Sequence, residues 1–362
     1  MCVSRISTGG SNCALASVGG SSSDVNAFSI TTYYLSRDGR LEACNSAYSA
    51  CRWSEDSVHN ANARRQATGA IAQPLVFANS GITVEALRAL VAHPDGIAST
   101  AALLRSDALR YGYRRVQFDL EPSCWEESAS ACAWPRPTDA INYVRLVNAT
   151  ADALAEAGAT LSIAVGVRPE AQCDSASQNA ACVAAGDSWT ALCENGTWST
   201  RQCNCCAFSR GLFRLADLCR SRAATIVNMD TYHNASRSRH NSTAFRAAVA
   251  FYAAAGCTGE RQAVGLLAEG ASTSEEAAAV VEDVMHAGAR EIDIWTNVWS
   301  NPTQMAIWSG ALATFLAPDA DRHADSPLAA PPLEPHGAQR SYGLASNVRT
   351  AKRTGTRYSP RL

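Results

Sequence analysis

From about residue 110 onward, short apolar runs alternate with longer stretches whose apolar residues recur at helical spacing. The runs that read as strands are Arg115–Glu121, Thr160–Val167, Thr225–Tyr232, Ala263–Ala268 and Glu291–Trp295. The stretches between them read as helices: Asp139–Ala157, Phe208–Arg222, Ala244–Ala255 and Glu275–Ala287. Upstream, Ala27–Leu35 and Pro74–Ala78 read as two further strands, and Val84–Ala92 and Ala98–Tyr111 as helices, while Thr303–Ala317 closes the pattern as a last helix. Strand and helix in regular alternation imply a parallel sheet with right-handed crossovers.

The helix ends carry their own punctuation. Ser272 with Glu275, or Thr273 with Glu276, has capping-box spacing ahead of an alanine-rich run. Gly112, Gly158, Gly256 and Gly288 each fall just past a helix, where a left-handed residue is wanted. These helix-to-strand turns are short, whereas the strand-to-helix loops after Glu121 and Val167 are long and rich in Cys and Trp, and the one after Tyr232 carries His233 and two sequons. One rim of the sheet is therefore decorated, and in a (β/α)₈ architecture that C-terminal rim is where active sites lie.

Seven strands can be counted. The eighth is expected before Ala27, where residues 1–25 are Ser/Gly-rich and read as disordered, which suggests a shortened N-terminus. Residues 318–362 are Pro-rich and then basic, without helical or strand period, and read as a disordered tail. The expected fold is thus α/β: a (β/α)₈ TIM barrel over residues 26–317, lacking its first strand, with disulfide-stapled loops on the C-terminal rim.

Composition narrows the function classes. Hydrophobic residues are 47% and charged residues 18%, the profile of a packed domain, and no apolar run approaches the ~20 residues of a spanning helix. A net charge of −2 with scattered basic residues argues against a nucleic-acid partner. Fourteen Cys, several in close pairs such as Cys44/Cys51, Cys124/Cys132 and Cys173/Cys182, point to loop disulfides. Sequons at Asn148, Asn195, Asn234 and Asn241 point to the same secretory route. Residues 1–24 have neither the basic start nor the apolar stretch of a signal peptide, so a secreted protein with a truncated start is expected.

The candidate chemistry sits at the end of the 115–121 strand. Side chains at i, i+2 and i+4 share a face, so Gln117, Asp119 and Glu121 point together, and Val116, Phe118 and Leu120 point the other way. The apolar set suits the helix layer, which leaves the polar set on the central axis. Buried carboxylates need partners or shifted pKa values, and Glu121, last on the strand, is the one a ligand would reach.

The segment Tyr111-Gly112-Tyr113-Arg114-Arg115-Val116-Gln117-Phe118-Asp119-Leu120-Glu121 resembles the fourth-strand signature of glycoside hydrolase family 18, the chitinases and endo-β-N-acetylglucosaminidases, whose pattern is D-x-x-D-x-D-x-E. The resemblance implies that Glu121 donates the proton to the glycosidic oxygen and that Asp119 orients the substrate's N-acetyl group, whose oxygen is the nucleophile. Asn228-Met229-Asp230-Thr231-Tyr232 is similar to the sixth-strand region, which makes Tyr232 the hydroxyl on the reacting acetamide. Ile294-Trp295 is similar to the eighth-strand Trp that floors the sugar subsite, and Asn79-Ser80-Gly81 echoes the third-strand motif. Gln117, Asp230, Trp295, Trp125 and Asn79 are the expected substrate contacts, Trp125 from its place in a rim loop.

The segment also departs from the family. Gln117 and Arg114 stand where two acids would be, Asp230 occupies a Met position and His233 an Asp position. A glutamine can still hydrogen-bond Asp119 but cannot share its charge, so Gln117→Asp is expected to raise activity or leave it unchanged. The departures keep two rivals in view: a non-catalytic carbohydrate-binding, lectin-like protein on the same scaffold, and a hydrolase of another glycan using Asp230 or Asp293 as nucleophile.

Exposed indoles at Trp125, Trp134, Trp189 and Trp198 suit either sugar stacking or a small loop core, whereas Tyr143, Phe213 and Trp308 fall at helical spacing and suit packing. Cys203-x-Cys205-Cys206 lacks the second cysteine pair or histidines of a zinc site, and there is no H-x-H, H-E-x-x-H, G-x-S-x-G or glycine-rich phosphate loop. The expected partner is an oligo- or polysaccharide, with no metal, no cofactor and no membrane.

Overall fold

The computed structural model describes residues 2–6, 27–43, 71–78, 82–122, 135–167, 211–231, 241–259, 261–267, 270–289, 291–296 and 302–316. Among these residues lie nine strands: β1 (Cys2–Ile6), β2 (Ala27–Leu35), β3 (Leu41–Ala43), β4 (Ile71–Phe77), β5 (Arg115–Asp119), β6 (Thr160–Val165), β7 (Thr225–Asn228), β8 (Gln262–Leu267) and β9 (Glu291–Thr296). The helices are α1 (Thr83–Ala92), α2 (Gly96–Tyr111), α3 (Pro137–Glu156), α4 (Leu215–Cys219), α5 (Ser242–Ala254), α6 (Ser274–His286) and α7 (Pro302–Leu316).

Eight strands pair in parallel in the order β1-β9-β8-β7-β6-β5-β4-β2, and β1 also pairs with β2, so the ladder returns to its start. The ninth, β3, folds back antiparallel on β2. Its tight turn packs on α1: Gly39 has φ +79°, and a Cβ there would lie 2.1 Å from the backbone nitrogen of Leu90. No L side chain fits that turn without moving the helix.

The strand at Cys2–Ile6 supplies the first strand that was expected to be missing; the rest of the N-terminal segment read as disordered lies outside the described residues. Cys2 pairs in register with Ala27 on one side and Asp293 on the other, closing the gap between β2 and β9. The strand pairs with β9 from Cys2 to Ile6 and with β2 at Cys2 and Val3, and a strand held by backbone pairing needs little apolar character of its own. The surrounding Ser/Gly-rich composition hid it. Residues 318–362 lie outside the described residues.

The expected helix ends recur with small shifts. Thr273 Oγ1 accepts from the Glu276 amide at 3.2 Å, and Glu276 reaches back to the Ser272 amide at 2.7 Å, so the capping acid is Glu276 rather than Glu275. Gly112, Gly158, Gly256 and Gly288 all take positive φ, between 67° and 100°.

The core lies between strands and helices. Val116, Phe118, Leu120, Ile163 and Ile226 pack with Leu87, Leu104, Leu146, Leu154 and Leu218 from the helices, and Val264, Leu266, Ile292 and Ile294 with Val280, Trp308 and Leu312. Ala164, Val227, Met229 and Ala263 form a separate small cluster. These alternate along their strands with members of the outer clusters and so mark the opposite, inner face. Tyr143, Phe213 and Trp308 are buried packing residues, with the Tyr143 and Phe213 ring centroids 5.5 Å apart.

The described disulfide, Cys219–Cys257, ties the end of α4 to the turn after α5, with Cα atoms 4.8 Å apart. Both cysteines precede strands, so this staple lies on the rim of strand N-termini and not on the C-terminal rim. Arg261 reinforces it by donating to the carbonyls of Cys219, Ser221 and Ala223. The pairs Cys44/Cys51, Cys124/Cys132 and Cys173/Cys182, and Cys203, Cys205 and Cys206, lie outside the described residues. Two sequon asparagines have structural duties: Asn148, within α3, accepts from the Arg222 amide at 2.8 Å, and Asn241 caps α5 through the Ala244 amide at 3.1 Å. No helix among the described residues is long and apolar enough to cross a membrane.

Candidate functional site

The strand β5 reads Arg-Val-Gln-Phe-Asp, and its polar residues reach across the ring. Arg115 donates to the Glu291 carboxylate on β9, with its second terminal nitrogen 3.4 Å from Thr225 Oγ1 on β7. Two residues on, Gln117 Nε2 donates to Asp293 Oδ2, also on β9, at 2.8 Å. Three strands separate β5 from β9 in either direction round the ladder, so the two strands are opposite one another. A hydrogen bond between opposite strands of a closed ladder must cross its interior. Gln117 and Asp293, both 0% exposed, therefore point inward.

Alternation then places Asp119 on the same inward face, one step nearer the strand end, where it is 6% exposed. Val116, Phe118 and Leu120 pack outward in the helix-side core. Glu121 is half-buried and stands beyond the last paired residue of the strand, since the register with β4 ends at Phe77–Asp119. Along β5 the inward face thus carries an ion pair, then an amide–carboxylate pair, then Asp119, and Glu121 follows two residues past the last rung. Burial, and after it the negative charge of Asp119, pushes the Tyr143 hydroxyl above its ordinary range, so that this α3 side chain stays protonated beside the site.

The segment after β7 differs from its expected form. The strand stops at Asn228 and becomes a 3₁₀ turn over Met229–Thr231. Asn228 Oδ1 accepts from the Asp230 amide at 3.0 Å, and Thr231 Oγ1 lies 2.7 Å from the Asn228 carbonyl and 2.5 Å from that of Gly265 on β8. Asp230 is fully buried: its Oδ2 accepts from the Val167 amide at 3.0 Å and lies 3.1 Å from the Tyr252 hydroxyl on α5. That hydroxyl is also 2.6 Å from the Val165 carbonyl. Burial, then the charge of Asp230, raises the Tyr252 pKa and keeps it a donor. Asp230 was expected to touch sugar or to act as a nucleophile, and these bonds give its carboxylate a structural duty as well. Its carboxylate ties β6 and α5 to the turn that leads into residue 232. Asp293, the other candidate nucleophile, is likewise enclosed, against Gln117.

Trp295 belongs to β9, in register with Leu267 of β8 and Ser4 of β1. Tyr232, Trp125 and Asn79 lie outside the described residues, as do Trp134, Trp189, Trp198, His233 and His240. The structure places Gln117 and Asp119 along β5 with Glu121 just past its end, adds Asp293 opposite Gln117, and gives Asp230 bonds to Val167 and Tyr252. It also adds two residues that were passed over, Glu291 and Tyr252. For Glu291 a signal existed: Glu291-x-Asp293 repeats, on another strand, the spacing of Arg115-x-Gln117. Tyr252 carried none, because a tyrosine on an apolar helix face reads as packing. Among the described residues no cluster of His, Cys, Asp and Glu could hold a metal ion.

No family model matches the sequence, and no curated protein matches it. Solved structures do match. A chitinase from Chromobacterium violaceum superposes with a TM-score of 0.56 at 12% identity, over 86% of this chain and 98% of that one. The spore cortex-lytic enzyme SleL of Bacillus megaterium gives 0.54 at 12% identity, over 85% of this chain and 72% of that one. The C-terminal domain of a protein described as a chitinase from Desulfitobacterium hafniense gives 0.57 at 11% identity, over 83% and 94%. The chain is thus similar in fold to chitinases and to a spore cortex-lytic enzyme, in keeping with its distant resemblance to glycoside hydrolase family 18.

Proposed function

We propose that the closed parallel ladder is a (β/α)₈ barrel housing a glycosidase site for β-linked N-acetylglucosamine-containing glycans. The observation that carries this reading is the Gln117–Asp293 bond. It supports an inward face of β5 that carries Asp119, with Glu121 following at the C-terminal end of the strand, the side on which barrel active sites lie. Glu121 acts as general acid toward the glycosidic oxygen and then as general base toward water. Asp119, enclosed below it, orients the 2-acetamido group, whose carbonyl oxygen attacks the anomeric carbon. A second carboxylate nucleophile is unnecessary in such substrate-assisted catalysis, which suits a site where Asp230 and Asp293 are both enclosed. Tyr232 is assigned the hydrogen bond to the acetamide, and Trp295, Trp125 and Asn79 the sugar contacts. One of the similar structures, a chitinase catalytic domain from Ostrinia furnacalis, was solved with penta-N-acetylchitooctaose, which supports this choice of substrate class.

Glu121→Gln keeps the shape of the side chain and removes its proton chemistry. Hydrolysis of an N-acetylglucosamine oligosaccharide is expected to fall at least ~10²-fold, with binding by calorimetry retained. The fully deacetylated oligosaccharide is expected to resist the unaltered protein, since it lacks the internal nucleophile. Equal rates for both forms of the protein, or turnover of the deacetylated sugar, would remove Glu121 or the acetamide from the mechanism. Binding of the acetylated sugar without any product would select the lectin-like alternative.

A further inference from the structure

We infer that helix α1 positions the candidate acid, with Thr83 as the residue that acts on it. The inference rests on the glycosidase reading for its kinetic consequence, though not for its geometry. Thr83 opens α1 and is buried, and its hydroxyl donates to the main-chain carbonyl of Glu121 at 2.6 Å, across 38 residues of sequence. A threonine at a helix start ordinarily serves its own helix by accepting from a first-turn amide. Here the N-cap position, Ile82, makes no side-chain cap, and Thr83 gives its proton to a neighbouring strand end.

The location of that carbonyl gives the bond its importance. The register of β5 with β4 ends at Asp119, and with β6 at Phe118, so Glu121 lies past the last rung on both sides. The Thr83 bond therefore fixes the direction of the Glu121 carbonyl beyond the ladder, and with it the course of the backbone that carries the carboxyl group. The same helix holds the chain again further on. Arg88 donates from Nε and Nη2 to both oxygens of Asp139, at 3.1 and 2.7 Å, and Asp139 Oδ2 also accepts from the Arg136 amide at 2.7 Å at the start of α3. One helix therefore grips the strand end at Glu121 and the helix start at Asp139.

A group that must meet a glycosidic oxygen within a few tenths of an ångström depends on such bracing, and a misplacement of about 1 Å can cost ~10²-fold in rate. Thr83→Val removes the donor and keeps the shape, whereas Thr83→Ser keeps the donor. Thr83→Val is expected to lower kcat by ~10-fold or more with KM within about twofold, and Thr83→Ser to restore most of it. In parallel, the side-chain carboxyl of Glu121, labelled with ¹³C and assigned by its loss in Glu121→Gln, is followed through a pH titration. Its curve is expected to move in Thr83→Val and to overlay the unaltered protein in Thr83→Ser. If Thr83→Val does not fold, Thr83→Ala is read by the same two measurements.

A Thr83→Val protein that is folded and matches the unaltered protein in both kcat and the Glu121 titration would overturn the inference. So would Thr83→Ser behaving like Thr83→Val. If the unaltered protein cleaves nothing, the glycosidase reading fails, and the carboxyl titration alone still decides whether Thr83 holds Glu121.

Discussion

Glu291→Ala is expected to lower the free energy of unfolding by about 3–5 kcal/mol, measured by urea or guanidinium titration, because it strands the Arg115 guanidinium inside the ring. The two side chains are 6% and 12% exposed, so solvent cannot take over from the lost partner, and the Thr225 hydroxyl, 3.4 Å from the guanidinium, carries no charge to replace the carboxylate. Arg115→Met should cost a similar amount for the complementary reason. The double variant Arg115→Met/Glu291→Leu is the informative one. With both charges gone no desolvated ion remains, and stability is expected to return to within about 1–2 kcal/mol of the unaltered protein. Exposed pairs such as Arg37–Glu85 and Arg222–Asp152 should by contrast respond weakly, as surface ion pairs do. If Glu291→Ala cost as little as they do, the arginine would have to find water, and the ring interior at that level could not be closed.

Gln117→Glu is expected to cost about 3 kcal/mol or more at neutral pH. The substitution changes the donor that faces Asp293 at 2.8 Å into a second carboxylate at unchanged side-chain length. A hydrogen bond to a charged acceptor, worth ~1.5–3 kcal/mol, is lost, and like-charge repulsion in a desolvated setting is added. The pair can relieve the repulsion only by retaining a proton, which raises the pKa of one carboxyl in the folded state above its unfolded value near ~4.3. The sign of the pH dependence follows. Below the unfolded pKa both states are protonated and the deficit is smallest. As pH rises through the raised folded pKa, the stability associated with the bound proton is lost, so the deficit relative to the unaltered protein grows toward neutrality. Adding Asp293→Asn exchanges donor and acceptor between the two strands and should restore most of the loss. A flat pH dependence, or no rescue by Asp293→Asn, would mean that the two side chains do not meet. The same geometry reverses the expectation for Gln117→Asp: activity should fall, since the new acid would face Asp293.

The legible and illegible parts of this chain divide along physical lines. The parallel strands from β2 to β9 and most helices between them were visible because each buries one face, and burial on one face imposes a period on the sequence. The three-residue β3 was too short to show one, and the helix expected over Phe208–Arg222 is helical at Leu215–Cys219 but broken at Phe213-Arg214. Cys2–Ile6 was not visible because a strand flanked by two parallel neighbours is held by its backbone, and five residues within a Ser/Gly-rich stretch carry too short a pattern. The inward direction of Gln117 followed from alternation alone. Its partner could not, because Asp293 lies 176 residues away and only ring closure brings the two strands opposite each other. The turn that carries Asp230 was hidden for a related reason. The apolar run at 225–232 suggested a strand throughout, but Asn228 and Thr231 turn the chain through side-chain bonds to its own backbone. That turn rotates Asp230 toward Tyr252. Thr83 was unreadable, since a threonine at a helix start has a sufficient local use.

The most direct measurement on the central claim is the anomeric configuration of the first product. An N-acetylchitooligosaccharide is incubated with the unaltered protein, and the reducing ends are followed by proton NMR before mutarotation. Attack by the acetamide followed by attack of water inverts the anomeric carbon twice, so the β-anomer is expected to appear first. An initial α-anomer would require a single displacement by water, and no product at all would mean that the site binds without cutting; either result would contradict the role assigned to Glu121 and the substrate's own acetamide.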